Sequence, residues 1–383
     1  MCPQSNCQQL IIHNFDAEFC IGMFKFLKTI SLNLLWYLNI FSAFLLLLSY
    51  TAPFVSPVKN AWLALLGLGY PFLLLINFFW FVFWLLRKSR AVYASMFTII
   101  LGAAYIPTLI GFGKSTKAPD NAIRLMSYNV RYFNTPVYAK EARWIEQQNK
   151  IIAFIKSEKP DILAAQEFSG KGSASTNRAD ELLKAAGLKH IHRGGRSSLA
   201  IVSRFPIQDK GVLHFQGSAN GAIYADLLTP KGKIRVYSVH LQSTRLGKDA
   251  DEVLKKDNIK SIGSKETQEK YYRIEDKLSS AFAMRARQAE ILREHIAASP
   301  HPVIVCGDFN DTPLSYSYRL MSKGLQDSFM EKGWGLGTSY AGALPALRID
   351  YILCSQHFEI YTHQKQKNAI SDHYAVFSDV GLF

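Results

Sequence analysis

The stretch "VIVCGDFNDTP" (303–313) runs four apolar residues into Gly307 and then places Asp308, Asn310 and Asp311 together. A buried strand has to end, and glycine, aspartate and asparagine are ordinary turn formers, so this stretch alone says little. The same switch from apolar to reactive recurs along the chain. "LMSYNV" delivers Asn129, "DILAAQE" delivers Glu167 and "VYSVHLQ" delivers His240. "RIDYIL" carries Asp350, and "ISDHYAVF" opens on Asp372 and His373. Carboxylates, amides and imidazoles are the groups that hold cations and move protons. One of them at a strand end is commonplace, but a whole series with this habit makes a site. Asp311 reads as a turn residue.

The elements that must position these residues alternate along the chain. Strands are expected at 123–130, 161–167, 198–207, 221–230, 233–241, 302–309, 347–354 and 374–380. Trp144, Ile145, Ile151, Ile152 and Ile155 recur at helical spacing within 139–160, and Pro160 ends that run. A second helix is expected over about 277–298. Mixed strands and helices in this order imply a two-sheet core covered by helices. The stretch 242–276 is charged and almost free of core residues, which predicts a solvated, partly helical insertion.

Before residue 114 the composition changes. No charged residue occurs from Thr29 to Val58, from Asn60 to Leu86 or from Ala91 to Gly113. About 20 apolar residues suffice to cross a bilayer core as a helix, so spans are expected near 30–50, 61–86 and 91–112. In "YPFLLLINFFWFVFWLL" (70–86) the one amide is Asn77, whereas a soluble helix shows a polar face. Lys25 and Lys28 precede the first span, and Arg87, Lys88 and Arg90 lie between the second and third. That bias puts the N-terminus on the cytoplasmic side and everything after the third span outside, in an integral protein of a bacterial inner membrane facing the periplasm. The expected organisation is a membrane region over 1–113, a linker over 114–122 and a catalytic domain over 123–383.

The formal charge is +14, and the residues beyond 114 hold 37 basic against 28 acidic side chains. A basic exterior suits an anionic partner. Cysteines stand at 2, 7, 20, 306 and 354 without a metal-binding spacing, so Cys306 and Cys354 are expected as buried free thiols.

The ordered set N, QE, H, GDFN, D and SDH over about residues 120–383 resembles the endonuclease/exonuclease/phosphatase superfamily. The resemblance implies an α+β four-layer sandwich, two packed β-sheets flanked by helices, here preceded by an α-helical transmembrane region. It implies a metal-dependent phosphodiester hydrolase. Glu167 resembles the principal ligand of Mg²⁺, or Mn²⁺, with Asn129 and Asp372 beside it. His373 resembles the general base and Asp350 its partner carboxylate. Asp308 and Asn310 resemble the pair that orients nucleophile and phosphate oxygens, and His240 resembles a residue that contacts the phosphate. A membrane anchor and the "HLQS" at 240–243, similar to a motif of sphingomyelinases, favour a lipid headgroup or small phosphodiester as substrate. A nucleic acid is the second reading, an extracytoplasmic nuclease, and a phosphomonoester the third. A domain that only binds phosphorylated ligands is a further alternative. The lipid bilayer is the expected partner, with no obligate protein partner.

Overall fold

Short apolar runs form the strands, and their register decides which reactive side chains meet. The computed structural model describes residues 31–134, 141–169, 172–195, 198–244, 265–342, 347–367 and 370–383. The strands of the two large sheets begin with β1 (Ile123–Asn129), β2 (Ile162–Gln166), β3 (His190–Gly194), β4 (Leu199–Ser203), β5 (Ile207–His214) and β6 (Gly221–Thr229). They continue as β7 (Gly232–His240), β8 (Val303–Asp308), β9 (Leu325–Asp327), β10 (Asp350–Ser355), β11 (Phe358–Ile360), β12 (Gln364–Lys365) and β13 (Val376–Leu382). One sheet has the order β11-β13-β1-β2-β4-β3, with β12 beside β13. The other has the order β9-β10-β8-β7-β6-β5.

The alternation of side chains along each strand sends one set between the sheets and the other under helices. Leu125, Ile162, Ile223, Val236, Ile304 and Ile352 fill the space between the sheets. Met126, Leu163 and Val202 pack outward against Trp144, Ile151 and Ile155 of the helix Glu141–Glu158 and Leu183 of the helix Gly172–Ala185. On the opposite side, Tyr237, Val305 and Tyr351 pack with Leu292 and Ile296 of the helix Lys265–Ala297. The result is a four-layer α+β sandwich. Two side-chain bridges tie its sheets together, Gln166 Nε2 to Ser238 Oγ at 3.1 Å and Asn129 Nδ2 to Asp308 Oδ2 at 3.0 Å.

The strands β3, β9, β11 and β12 carry weak sequence patterns, because they are short or lie at sheet edges. The helix expected from about 277 begins at Lys265, so the end of the 242–276 insertion is helical. Residues 245–264 of that insertion lie outside the described residues. Cys306 and Cys354 are buried free thiols.

Tertiary contacts divide the chain into two units. One contains residues 31–48 and 72–102 among those described, and the other contains 49–71 and 103–383. The smaller unit is inside out relative to a soluble bundle. Its polar residues Asn39, Asn77 and Ser95 are buried, while Phe41, Phe79 and Ile100 are exposed. Ser95 Oγ donates to Asn39 Oδ1 at 2.6 Å, and Asn77 Nδ2 donates to the Ser42 carbonyl at 3.1 Å. Polar groups as interhelical glue under an apolar exterior are what a lipid environment requires. By length and composition the helix Ser31–Phe54 could cross a membrane alone. The runs expected as spans 61–86 and 91–112 are each broken, after Leu68 and after Leu101, where Gly69 and Gly102 cap the preceding helices. If each broken pair is one span, the number reaches three.

The helix Ala61–Leu68 belongs to the larger unit. Asn60 Oδ1 caps it by accepting from the Trp62 and Leu63 amides at 3.0 and 3.4 Å. A Cβ at Gly67 would lie 2.3 Å from the Leu314 carbonyl oxygen, so this close approach requires glycine.

Candidate active site

Asp308 is the last residue of β8, in the middle of its sheet. The parallel register with β7 sets His240 opposite it, and the antiparallel register with β10 sets Asp350 opposite it on the other side. Directly opposed residues point to the same face of a sheet, so three separate segments converge there. Gly307 makes the spacing feasible. Its φ is +150°, and a Cβ there would stand 2.0 Å from the Val239 carbonyl oxygen. The glycine of "GDFN" is thus a packing requirement of the strand that carries Asp308.

The second sheet contributes the other half. Asn129 ends β1 opposite Gln166 of β2, and Glu167 leaves β2 in a left-handed conformation with φ +52°. Arg131, Tyr132, Phe133 and Asn134 follow with φ between +47° and +57°. Four successive non-glycine residues in this region are costly, at about 1–2 kcal/mol each. The turn is held by its surroundings. Arg131 N donates to Asn129 Oδ1 at 3.0 Å, Tyr132 N to the Glu167 carbonyl at 3.0 Å, and Asn134 Nδ2 to the Ile370 carbonyl at 2.9 Å.

His373 is buried. Its Nδ1 meets Asp350 Oδ2 at 2.9 Å and Oδ1 at 3.2 Å, which leaves Nε2 facing Asp308 Oδ2 at 3.7 Å. His240 Nε2 lies 3.7 Å from the same Asp308 oxygen and 3.8 Å from Glu167 Oε1. Asn310, in a left-handed conformation, donates its backbone N–H to Asp308 Oδ1 at 2.8 Å and its Nδ2 to the Leu241 carbonyl at 3.1 Å. Asp372 Oδ2 lies 3.2 Å from the Nε of Arg131, whose side chain is largely exposed. All eight residues expected at the site from sequence therefore gather where the two sheets end.

Electrostatics follow from burial and crowding. Burial and then the Asp308 carboxylate push Glu167 up to about 7, against the pull of His373. Burial also raises Asp308. Burial alone would lower His373, but Asp350 and Asp308 outweigh it and push it up to about 10. Burial lowers His240, which favours its neutral ring. Carboxylates held at such close quarters with raised pKa values are short of positive charge, and a divalent, oxygen-seeking cation fits that donor set. Asp308, Asp350 and His373 offer atoms within 4.8 Å of one another. Within that group, His373 Nδ1 is engaged by Asp350.

Several supporting residues escape a reading of the sequence. Ser339 Oγ accepts from the amides of Ile349 and Asp350, both at 2.9 Å, and its carbonyl accepts from Tyr374 N at 2.7 Å. Tyr340 sets its ring edge-on to His373, 5.3 Å between centroids. One short segment, 339–341, thereby holds both His373 and Asp350. Asp311 sits at the expected bend, where its Oδ1 accepts from Thr312 N at 3.1 Å. It is buried, accepts from Arg285 Nε at 3.2 Å, and is held above its ordinary pKa by burial even with that cation beside it. Arg285 Nη1 also donates to the Gln242 carbonyl at 2.8 Å, and Gln288 Oε1 accepts from Gln242 N at 2.8 Å. These contacts fix the chain just beyond His240.

A family described only as a domain of unknown function matches residues 32–109. No curated protein matches the chain. Among solved structures, an endonuclease/exonuclease/phosphatase from Beutenbergia cavernae is 18% identical, covering 68% of this chain and 72% of its own, with a TM-score of 0.48. The human Nocturnin catalytic domain with bound sulfate is 18% identical over 70% of this chain and 98% of its own, with a TM-score of 0.49. A mannosyl-6-phosphatase from Bacteroides thetaiotaomicron is 18% identical over 68% of this chain and 100% of its own, with a TM-score of 0.47. The Endonuclease/Exonuclease/phosphatase family matches residues 126–373, from the residues before Asn129 to His373 itself, and the chain belongs to that family.

Proposed function

We propose that the larger unit hydrolyses a phosphodiester by attack of water, assisted by Mg²⁺ or Mn²⁺. The observation that carries this reading is the pairing at His373, whose Nδ1 is held by Asp350 at 2.9 Å while Nε2 faces the cluster. Glu167, Asn129 and Asp372 would hold the cation, which when bound supplies positive charge against the phosphate oxygens. In its neutral form, which positive charge beside these carboxylates would favour, His373 Nε2 takes the proton of the attacking water, and Asp350 stabilises the imidazolium that results. The water oxygen bonds to phosphorus as the ester P–O bond breaks, the leaving oxygen takes a proton from solvent, and His373 returns to solvent the proton it accepted. His240 Nε2 faces the same space and is suited to contact the phosphate. Asp308 and Asn310 orient the nucleophile.

A lipid headgroup is the favoured substrate. The inside-out packing of the helices within 31–102 supports a membrane location, and the basic Arg87, Lys88 and Arg90 support a catalytic unit outside the cytoplasm. An active alkaline phosphatase fused after Phe383 would support that orientation, and an inactive fusion would reverse it. The basic excess beyond residue 114 favours nucleic acid as the second reading.

The substrate test runs the full chain on phospholipid and sphingolipid vesicles and on single- and double-stranded DNA, with His373→Ala and excess chelator as controls. Headgroup release that both controls abolish is expected. DNA cleavage without headgroup release would make the protein a nuclease. Binding without turnover would make it a ligand-binding domain.

A further inference from the structure

Within the larger unit a two-stranded ribbon pairs Ile110–Phe112 with Trp334–Leu336, in the register Ile110 with Leu336 and Phe112 with Trp334. A ribbon laid on a protein surface ordinarily turns its apolar side chains inward. This one does the reverse. Ile110, Phe112, Trp334 and Leu336 are 36%, 64%, 79% and 63% exposed. The residues that alternate with them are glycines, at 111, 113, 333, 335 and 337. A Cβ at Gly111 would lie 2.4 Å from the Gly333 carbonyl oxygen, one at Gly113 2.6 Å from the Lys332 Cα, and one at Gly333 2.3 Å from the Phe329 ring. Gly111, Gly113, Gly333 and Gly337 lie close against residues 329–333, whereas Gly335, with φ +74°, has open space around it. A one-residue slip that buried the large side chains is sterically closed.

We propose that this ribbon is a lipid seat: its apolar face enters the interfacial zone of the bilayer and fixes the larger unit to the membrane surface. Three observations favour lipid as the occupant. The ribbon begins at Ile110, the residue directly after the apolar helix Ile106–Leu109, so its first strand extends the chain's apolar helical region. Its most exposed member is tryptophan, whose amphipathic ring settles at the boundary between headgroups and acyl chains. Lys114 and Lys332 flank the strands, where long cationic side chains can reach anionic headgroups while their stems lie along apolar surface. The second strand runs through Gly337 into Ser339 and Tyr340, which hold Asp350 and His373. The seat is thus a few residues from the segment that organises the base, and it sets the distance between the site and the headgroup layer.

Spin-label depth measurement tests this without any substrate, so its outcome is separate from that of the proposed reaction. In the full chain with Cys2, Cys7 and Cys20 replaced by serine, Leu336→Cys carries the label and the buried Cys306 and Cys354 stay unlabelled. A label at Leu228→Cys, an exposed position on β6, is the reference. In vesicles of phosphatidylcholine and phosphatidylglycerol, the label at 336 should be relaxed more by oxygen than by a water-soluble nickel chelate, with the reverse at 228. Adding Phe112→Ser and Trp334→Ser should shift the 336 label toward the chelate. Equal chelate access at both positions would overturn the proposal. Dipolar coupling between 336 labels on separate molecules would also overturn it, by showing that a second copy covers the face.

Discussion

Asn129 Nδ2 donates to Asp308 Oδ2 at 3.0 Å, joining the end of β1 in one sheet to the end of β8 in the other. The bond spans 179 positions of sequence and closes the site, because Glu167 and Arg131 flank Asn129 while His240 and Asp350 flank Asp308. Asn129→Ala leaves a buried carboxylate oxygen short of a donor, which costs about 1–3 kcal/mol. Activity should fall roughly 10- to 100-fold, because the same side chain is proposed to hold the cation and also orients Asp308. Thermal unfolding and kcat should therefore both move, and an unchanged kcat would show that the bridge is structural alone.

His373→Ala should reduce kcat by roughly two to four orders of magnitude, the worth of a positioned general base. Asp350→Asn keeps the shape but removes the charge that stabilises the imidazolium. Its effect should appear in kcat far more than in KM. Circular dichroism and thermal melts separate loss of chemistry from loss of fold, and an unimpaired His373→Ala enzyme would assign the base elsewhere.

Glu167→Gln removes charge from the side of the cluster proposed to hold the cation while keeping its volume. The metal concentration for half-maximal rate should rise, and added Mg²⁺ should restore part of the activity. A metal titration followed by rate and by calorimetry checks both, and an unaltered titration would remove Glu167 from the ligand set.

Arg285→Ala strips the buried Asp311 of its cation. Breaking a buried pair from one side costs about 3–5 kcal/mol, so the melting temperature should fall sharply. Arg285→Ala with Asp311→Asn should recover part of that loss, because no unpaired charge then remains. Equal melting temperatures for the single and double variants would show that the pair's charge is not what stabilises this corner.

His363 contributes a pH dependence away from the site. Its Nδ1 meets Ser328 Oγ at 2.9 Å, and burial pushes its pKa from 6.5 down to about 4, despite the attraction of Asp327. The unfolded chain therefore takes up this proton more readily than the folded one. The stabilisation is complete above about 6.5 and is lost as pH falls toward about 4. Between those limits the melting temperature of the wild type should drop more steeply than that of His363→Gln. Parallel curves would show that this ring contributes nothing to acid sensitivity.

Much of the site was legible because a strand must become polar where it leaves the core. Asn129, Glu167, His240 and Asp308 stand at or just past the ends of runs such as "DILAAQ" and "VIVCG", and those runs are visible without any tertiary knowledge. Asp311 is the complementary case, since its bend is local and its buried ion pair is not. Its meaning as a buried partner of Arg285 depends on a helix that begins 46 residues earlier in the chain, at Lys265, and local pattern carries no trace of that pairing. The segment 339–341 was silent too, since a serine and a tyrosine acquire a role there only through the backbone of Asp350 and the ring of His373.

By itself the sequence determined the alternating core, the apolar region before residue 114 and the identity of the reactive residues, because burial period and residue chemistry are local properties. Tertiary structure alone decided that Asp308 lies between His240 and Asp350, that Asn129 reaches it across the sheets, and that Gly111, Gly113 and Gly333 of the ribbon pack inward with Trp334 out. Those are matters of register and close approach between segments far apart in the chain, and a strand carries no label for the neighbour it will pair with.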